Sequence, residues 1–260
     1  MTKVRVRSYS PFRRYLHCPP RGLTRMSIAV GLRDMTGTIV LCADRQMTKE
    51  GGLKFQGTKI LWRQRGVALQ KDFFNVVFAY CGHPEVAANL FEASVDAIGQ
   101  ATADESACHF DDFFKHALEP VFRARDSKRI EALIGVQSSQ ECVLLRTNAN
   151  QVVRASRECI GVGDSSVIRY LADVTGHPLL SPDDATTLGI YMVTLANRYI
   201  DGCGFGVDVV TLSPRAPMAI FTESQVRKYS ERFPQVEQQL EWELLEFYGK
   251  QMRKRGKGRI

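Results

Sequence analysis

The chain has 260 residues, 44% of them apolar and 24% charged, with a net charge of +7. Those fractions exclude a disordered, collagen-like or disulfide-dense chain. No apolar run approaches the roughly 18–20 residues of a membrane-spanning helix, and the length suffices for one large domain with a buried core.

The positive charge sits at the two ends. Residues 1–25 hold seven basic residues and no acid, and residues 250–260 hold six and no acid, which leaves 22 basic against 28 acidic residues between them. The body is therefore mildly acidic. Basic ends of this kind can touch acidic surfaces, but they are expected here as solvated tails, and a nucleic-acid partner is disfavoured. Residues 1–25 are broken by Pro11, Pro19 and Pro20 and lack periodicity. Three segments follow: a basic extension or propeptide over 1–25, a folded domain over 26–249, and a basic tail over 250–260.

Taken in chain order, Ile28 to Leu32 reads as a strand, Asp34 to Gly37 as a turn, and Thr38 to Ala43 as a second strand, apolar throughout as for burial on both faces. A glycine-rich stretch (Gly51, Gly52, Gly57) leads to Lys59-Ile60-Leu61-Trp62 and a strand over Val76 to Tyr80. Two helices are expected next. One spans about Pro84 to Ile98, and the other about Asp111 to Arg125, with Phe113, Phe114, Leu118, Val121 and Phe122 on one side. Strands follow over Glu131 to Val136, Cys142 to Thr147 and Val152 to Cys159. A helix over about Ser165 to Val174 precedes one that starts at Ser181-Pro182, with Ser as N-cap and Pro at the first helical position. Strands over Val207 to Leu212 and Pro217 to Phe221 lead to a last helix from about Gln235 to Arg253. Runs of strands and segregated helix pairs predict an α+β fold. Two packed sheets with a helix pair on each outer face would bury every apolar stripe.

The seven cysteines are scattered, odd in number and form no C-x-x-C, which points to a reducing compartment and free core thiols. The five histidines form no H-x-x-x-H pair; no metal and no cofactor are expected. His83 and His116 read as surface or helix-end residues. The nucleophile elbow, the phosphate-binding loop and a full G-x-G-x-x-G are missing.

What remains is an ordered set of local patterns: Ser27 to Leu32, Leu41-Cys42-Ala43-Asp44-Arg45-Gln46-Met47-Thr48, Thr58-Lys59-Ile60, Ala79-Tyr80-Cys81-Gly82, Ile160 to Gly163, and Asp201 to Val210. Together these resemble the proteasome β-type family of N-terminal nucleophile hydrolases, which includes HslV-type peptidases, over about residues 27–222. The resemblance implies a four-layer αββα sandwich, cleavage of peptide or amide bonds and a homo-oligomeric ring, and leaves an ATPase partner open; a cytoplasmic location is expected because residues 1–25 hold no secretory core. It maps Ser27 onto the nucleophile, Asp44 and Lys59 onto the charged pair beside it, Gly82 onto the oxyanion glycine and Asp201 onto the aspartate that positions the nucleophile's amine. The chemistry is coherent. A hydroxyl needs an adjacent base, the α-amine of a first residue has a pKa near roughly 8, and a nearby ammonium eases deprotonation of both groups.

Each residue also fits a structural role. Ser27 can be a strand residue, Asp44 and Lys59 an ion pair, and Gly82 and Asp201 turn residues. A catalytically inactive subunit with an assembly role is the alternative. The chain departs from the family pattern at Met26, where precursors carry glycine, at Gly204, where a serine is usual, and over Arg63 to Asn75, which is longer than the usual turn. Translation from Met26 with removal of that methionine would expose Ser27.

Overall fold

The computed structural model describes residues 27–48, 53–66, 73–103, 110–124, 130–138, 141–148, 151–161, 168–169, 171, 180–238 and 240–241. The basic ends, most of the helix expected over 165–174 and the part beyond residue 241 of the helix expected from about Gln235 to Arg253 lie outside these residues; residues 233–238 and 240–241 are helical. The strands are β1 (Ile28–Arg33), β2 (Ile39–Asp44), β3 (Gln46–Thr48), β4 (Lys54–Gln56), β5 (Ile60–Arg65), β6 (Phe74–Gly82), β7 (Ile130–Ser138), β8 (Cys142–Asn148), β9 (Gln151–Ala155), β10 (Arg157–Gly161), β11 (Val207–Ser213) and β12 (Ala216–Ile220). The helices are α1 (Pro84–Ala103), α2 (Phe110–Ala124), α3 (Pro182–Tyr199) and α4 (Glu223–Ser230). Among the described residues no helix is long and apolar enough to cross a membrane.

Every strand pairing is antiparallel. One five-stranded sheet runs β10-β1-β2-β11-β12, a second runs β5-β6-β7-β8-β9, and β3-β4 form a two-stranded sheet. The two-residue side-chain period of a strand sorts the core into layers. On β1 and β2, Val30, Leu32, Val40 and Cys42 face α3, whose Leu188, Met192 and Ala196 cover them. The alternate residues Ala29, Ile39, Leu41 and Ala43 meet Val77, Ala79, Leu133 and Leu144 of the second sheet. The other face of that sheet, with Phe78, Ile134 and Val143, is covered by Leu90, Phe114, Leu118 and Phe122 of α1 and α2.

This arrangement corrects the four-layer αββα sandwich expected from the resemblance. The described residues form three antiparallel sheets, not two, and α3 shares its side with the short α4 and with helical residues 233–238 and 240–241, whose Phe233 and Leu240 join its core. The third sheet arises because β2 stops at Asp44, whose carboxylate binds the N–H of Gln46 and turns the chain into β3. The single strand expected over Val152 to Cys159 is also two strands. The chain bends at Ser156, whose carbonyl accepts the N–H of Arg33, so β9 completes one sheet and β10 the other. Strands that switch sheets in this way make the corners of packed sheets. Of the long stretch from Arg63 to Asn75, the described residues 63–65 and 74–75 extend the β5–β6 ladder, with Arg63 opposite Val76 and Arg65 opposite Phe74.

Ser181 caps α3 as predicted, its hydroxyl accepting the N–H of Asp184, with Pro182 next to it. All five described cysteines are buried. Burial pushes the Cys142 thiol up to about 12, the behaviour of a core residue.

The two large sheets are pressed together at Gly135. A Cβ there would lie 2.7 Å from Leu212 Cδ1 and 3.1 Å from Leu41 Cδ1. A larger side chain has no void to enter, and overpacking of a filled core costs about 1–3 kcal/mol. Gly135→Val should lower the urea-unfolding free energy by that amount. An unchanged midpoint and slope would mean that the sheets are not pressed together there.

Candidate active site

β2 carries an apolar run that ends in a carboxylate with no exposure, Asp44. A buried carboxylate must be met by donors, and Asp44 is. Its Oδ1 accepts the N–H of Ile28 at 2.9 Å. Its Oδ2 accepts the N–H of Gln46 at 3.1 Å and the ammonium of Lys59 at 2.8 Å. Lys59 is itself only 1% exposed. Burial pushes the Asp44 carboxyl above its ordinary value, against the pull of the Lys59 charge and of the two backbone N–H groups. The Lys59 backbone is anchored by the N–H of Tyr80, which donates to its carbonyl at 3.1 Å. Its ammonium makes no other hydrogen bond among the described residues, so two of its three donors are available.

Ser27 directly precedes β1, one residue before the N–H that Asp44 holds, and is 9% exposed. Its hydroxyl makes no hydrogen bond among the described residues. Its carbonyl sits against Gly161, which has φ 71°. A Cβ at Gly161 would collide with that carbonyl and lie 2.7 Å from Cys81 Sγ. The ends of β1, β6 and β10 therefore converge at this point. Gly161 is fixed by its N–H, which donates to Glu131 Oε2 at 2.8 Å.

Gly82 ends β6 one residue beyond Cys81, exposed and at φ 121°, a conformation that favours glycine. Asp201 lies in an exposed turn and makes no side-chain hydrogen bond to the Asp44–Lys59 pair. Two residues on, Cys203 is pushed up to about 12 by burial, with the Asp44 charge adding to the rise and Lys59 opposing it. The structure thus joins Asp44, Lys59 and the backbone beside Ser27, and leaves Gly82 and Asp201 without a bond to them. His83 and His116 are exposed.

Residues that the sequence reading did not single out surround this cluster. Cys81 is buried and feels Lys59, Asp44 and Glu131, and burial dominates in raising its thiol. Gln46 is 5% exposed, and its Nε2 is buried without a partner. A Cβ at Gly204 would stand 2.9 Å from Gln46 Oε1, so the amide of Gln46 fills the place where a serine side chain was expected. Glu131 lies in none of the quoted patterns and Gln46 drew no role within its own; three-dimensional pairing brings both here.

No family model and no curated protein matches the chain. Among solved structures it is similar to the Anbu (Gly-1) mutant from Hyphomicrobium sp. strain MC1, at a TM-score of 0.63 and 15% sequence identity over 82% of this chain and 96% of that one. A second structure, Anbu from the same strain, gives a TM-score of 0.62 at the same identity and coverage. The chain shares a fold with Anbu. At this identity the likeness extends to the fold alone. It corrects the resemblance to the proteasome β-type family and HslV-type peptidases, for which no family model matches.

Removing one partner of a buried ion pair strands the other, at about 3–5 kcal/mol. Lys59→Met should destabilise the fold by about that amount in chemical denaturation. A loss below about 1 kcal/mol, the scale of an exposed pair, would mean that water reaches the pair.

Proposed function

We propose that this chain is an N-terminal-nucleophile hydrolase that cleaves peptide or amide bonds through an acyl-enzyme on Ser27. The observation that carries the reading is the buried Lys59–Asp44 pair, whose carboxylate also binds the N–H of the residue after Ser27. The fold shared with Anbu supports a relationship to proteasome-like N-terminal-nucleophile hydrolases at the level of fold.

With Ser27 as first residue, its free α-amine takes the hydroxyl proton while Oγ attacks the substrate carbonyl carbon. The Lys59 charge, held by Asp44, favours the alkoxide and the neutral amine. The N–H of Gly82 is assigned to the developing oxyanion, and Asp201 to the α-amine. The leaving amine departs with the transferred proton, and an ester remains on Ser27. Water, deprotonated by the same α-amine, then releases the acid and restores the hydroxyl. A homo-oligomeric ring around such sites belongs to the same proposal.

Protein beginning at Ser27 should hydrolyse small acyl-peptide reporters, and Ser27→Ala should abolish this. Lys59→Arg keeps the charge but changes its shape and hydration, and should lose on the order of 10²-fold in kcat, comparable to one preorganised donor. Full turnover in Ser27→Ala would refute the assignment. An inert Ser27-initiated chain would favour the non-catalytic, assembly role.

A further inference from the structure

Asp44 and Lys59 meet through side chains, and their chain neighbours meet as well. Arg45 follows Asp44, and Thr58 precedes Lys59. Between these neighbours stands a second carboxylate, Asp208 of β11. Its Oδ1 accepts Arg45 Nε at 2.6 Å, and its Oδ2 accepts the Thr58 hydroxyl at 3.0 Å. Asp208 is itself fixed in register, because the preceding Val207 pairs with Asp44 across the β2–β11 ladder. Arg45 and Asp208 side chains are 15% and 18% exposed, so their contact is shielded from solvent.

The other ties of the segment that carries Lys59 run through its backbone, among them the Tyr80 hydroxyl, which donates to the Thr58 carbonyl at 3.4 Å. Gly57 N–H donates to the Arg45 carbonyl at 2.9 Å, and Tyr80 N–H donates to the Lys59 carbonyl at 3.1 Å. Thr58 closes on Ile60 through its own hydroxyl, at 3.2 Å to the Ile60 carbonyl. The Gly57 bond and the pairing of Gln46 with Gln56 tie the two stretches of chain through backbone, beyond Arg45 and before Thr58. The carboxylate of Asp208 adds the side-chain bridge that joins Thr58 to Arg45 and so fixes the chain at Lys59 against the chain at Asp44. Lys59 reaches Asp44 through a single 2.8 Å bond from a flexible four-carbon stem. A small shift of either backbone therefore moves the ammonium.

We propose that Asp208 is a positioning residue, acting through Arg45 and Thr58 to set where the Lys59 ammonium stands beside Asp44 and Ser27. Its catalytic consequence rests on the hydrolase reading above; its effect on Lys59 does not. Glu223 supplies the internal contrast. It also binds Arg45, at 2.8 Å, but its side chain is 81% exposed and it has no bond to Thr58. It therefore cannot bridge the two neighbours.

Two readouts on the full chain test this. The first is the ammonium signal of Lys59 in nitrogen–proton correlation spectra of lysine-labelled protein, assigned by its loss in Lys59→Arg. Asp208→Asn keeps the size of the side chain but loses its charge; Asp208→Ala removes both bonds. Both should move or broaden the Lys59 signal, while Glu223→Gln leaves it unchanged. The second is reporter hydrolysis by protein beginning at Ser27. The Asp208 variants should lose about 10²-fold in kcat, the scale of a 1 Å misplacement, with KM within about twofold; Glu223→Gln should match the unaltered protein. If the unaltered protein does not hydrolyse the reporter, the hydrolase reading fails and the ammonium signal decides the role of Asp208 alone. A Lys59 signal unchanged in folded Asp208→Asn, or no resolved Lys59 signal in the unaltered protein, overturns the proposal. So does unchanged kcat in that variant.

Discussion

A lysine and an aspartate shut away from water at the end of β2 constrain everything around them. Lys59 is 1% exposed and Asp44 is not exposed at all. Desolvating two such charges costs several kcal/mol per ion, which their attraction offsets only when the remaining polar atoms are also satisfied. Asp44 meets that condition by taking N–H donors from Ile28 and Gln46. In doing so it ties the start of β1 and the start of β3 to the end of β2. The pair is thus both an electrostatic feature and a junction of the chain.

Ladder register explains why the candidate chemistry collects at one end of the sheets. β1 pairs with β2 and β10, which sets Ser27, Asp44 and Gly161 at a common edge. β5 pairs with β6, which sets Lys59 beside Tyr80 and next to Cys81 and Gly82. The sheets then face each other through Ala29, Ala43, Ala79 and Cys81. Small residues here let the two edges close up, and the φ 71° of Gly161 lets β10 reach the Ser27 carbonyl without a clash. Asp44 and Gly82 lie at strand ends, and Ser27 and Lys59 directly precede β1 and β5. This suits a site whose geometry must be preorganised.

Much of this was legible in the residues. The unbroken apolar run of β2, the Ser181-Pro182 start of α3 and the apolar stripe of α2 each reflect one local rule, and each element lies where that rule put it. Pattern failed where tertiary contacts decide. The polar run Ser156-Arg157-Glu158 breaks the alternation but holds no glycine or proline to mark a turn, so β9 and β10 read as one strand. The short α4 has a capping box from Thr222 and Gln225, but only Val226 and Tyr229 as apolar residues, too few for a stripe. The four-layer sandwich came both from the order of elements and from a resemblance that no family model supports, and it left β3 and β4 out. Within the candidate site, Asp44 and Lys59 were readable because a charge next to an apolar strand demands a partner. Gln46 and Asp208 lie within quoted patterns but drew no role, and Glu131 lies in none, because what they meet (Gly204, Arg45 and Thr58, and Gly161) lies 30 or more residues away.

The central claim is that Ser27 accepts an acyl group beside a buried Lys59–Asp44 pair. Intact-mass measurement of protein beginning at Ser27, after brief treatment with a small activated ester, tests it most directly. The account predicts one acyl adduct per chain, mapped to the Ser27 oxygen and lost in Ser27→Ala. An adduct of equal yield in Ser27→Ala, or none on a folded chain beginning at Ser27, would contradict it.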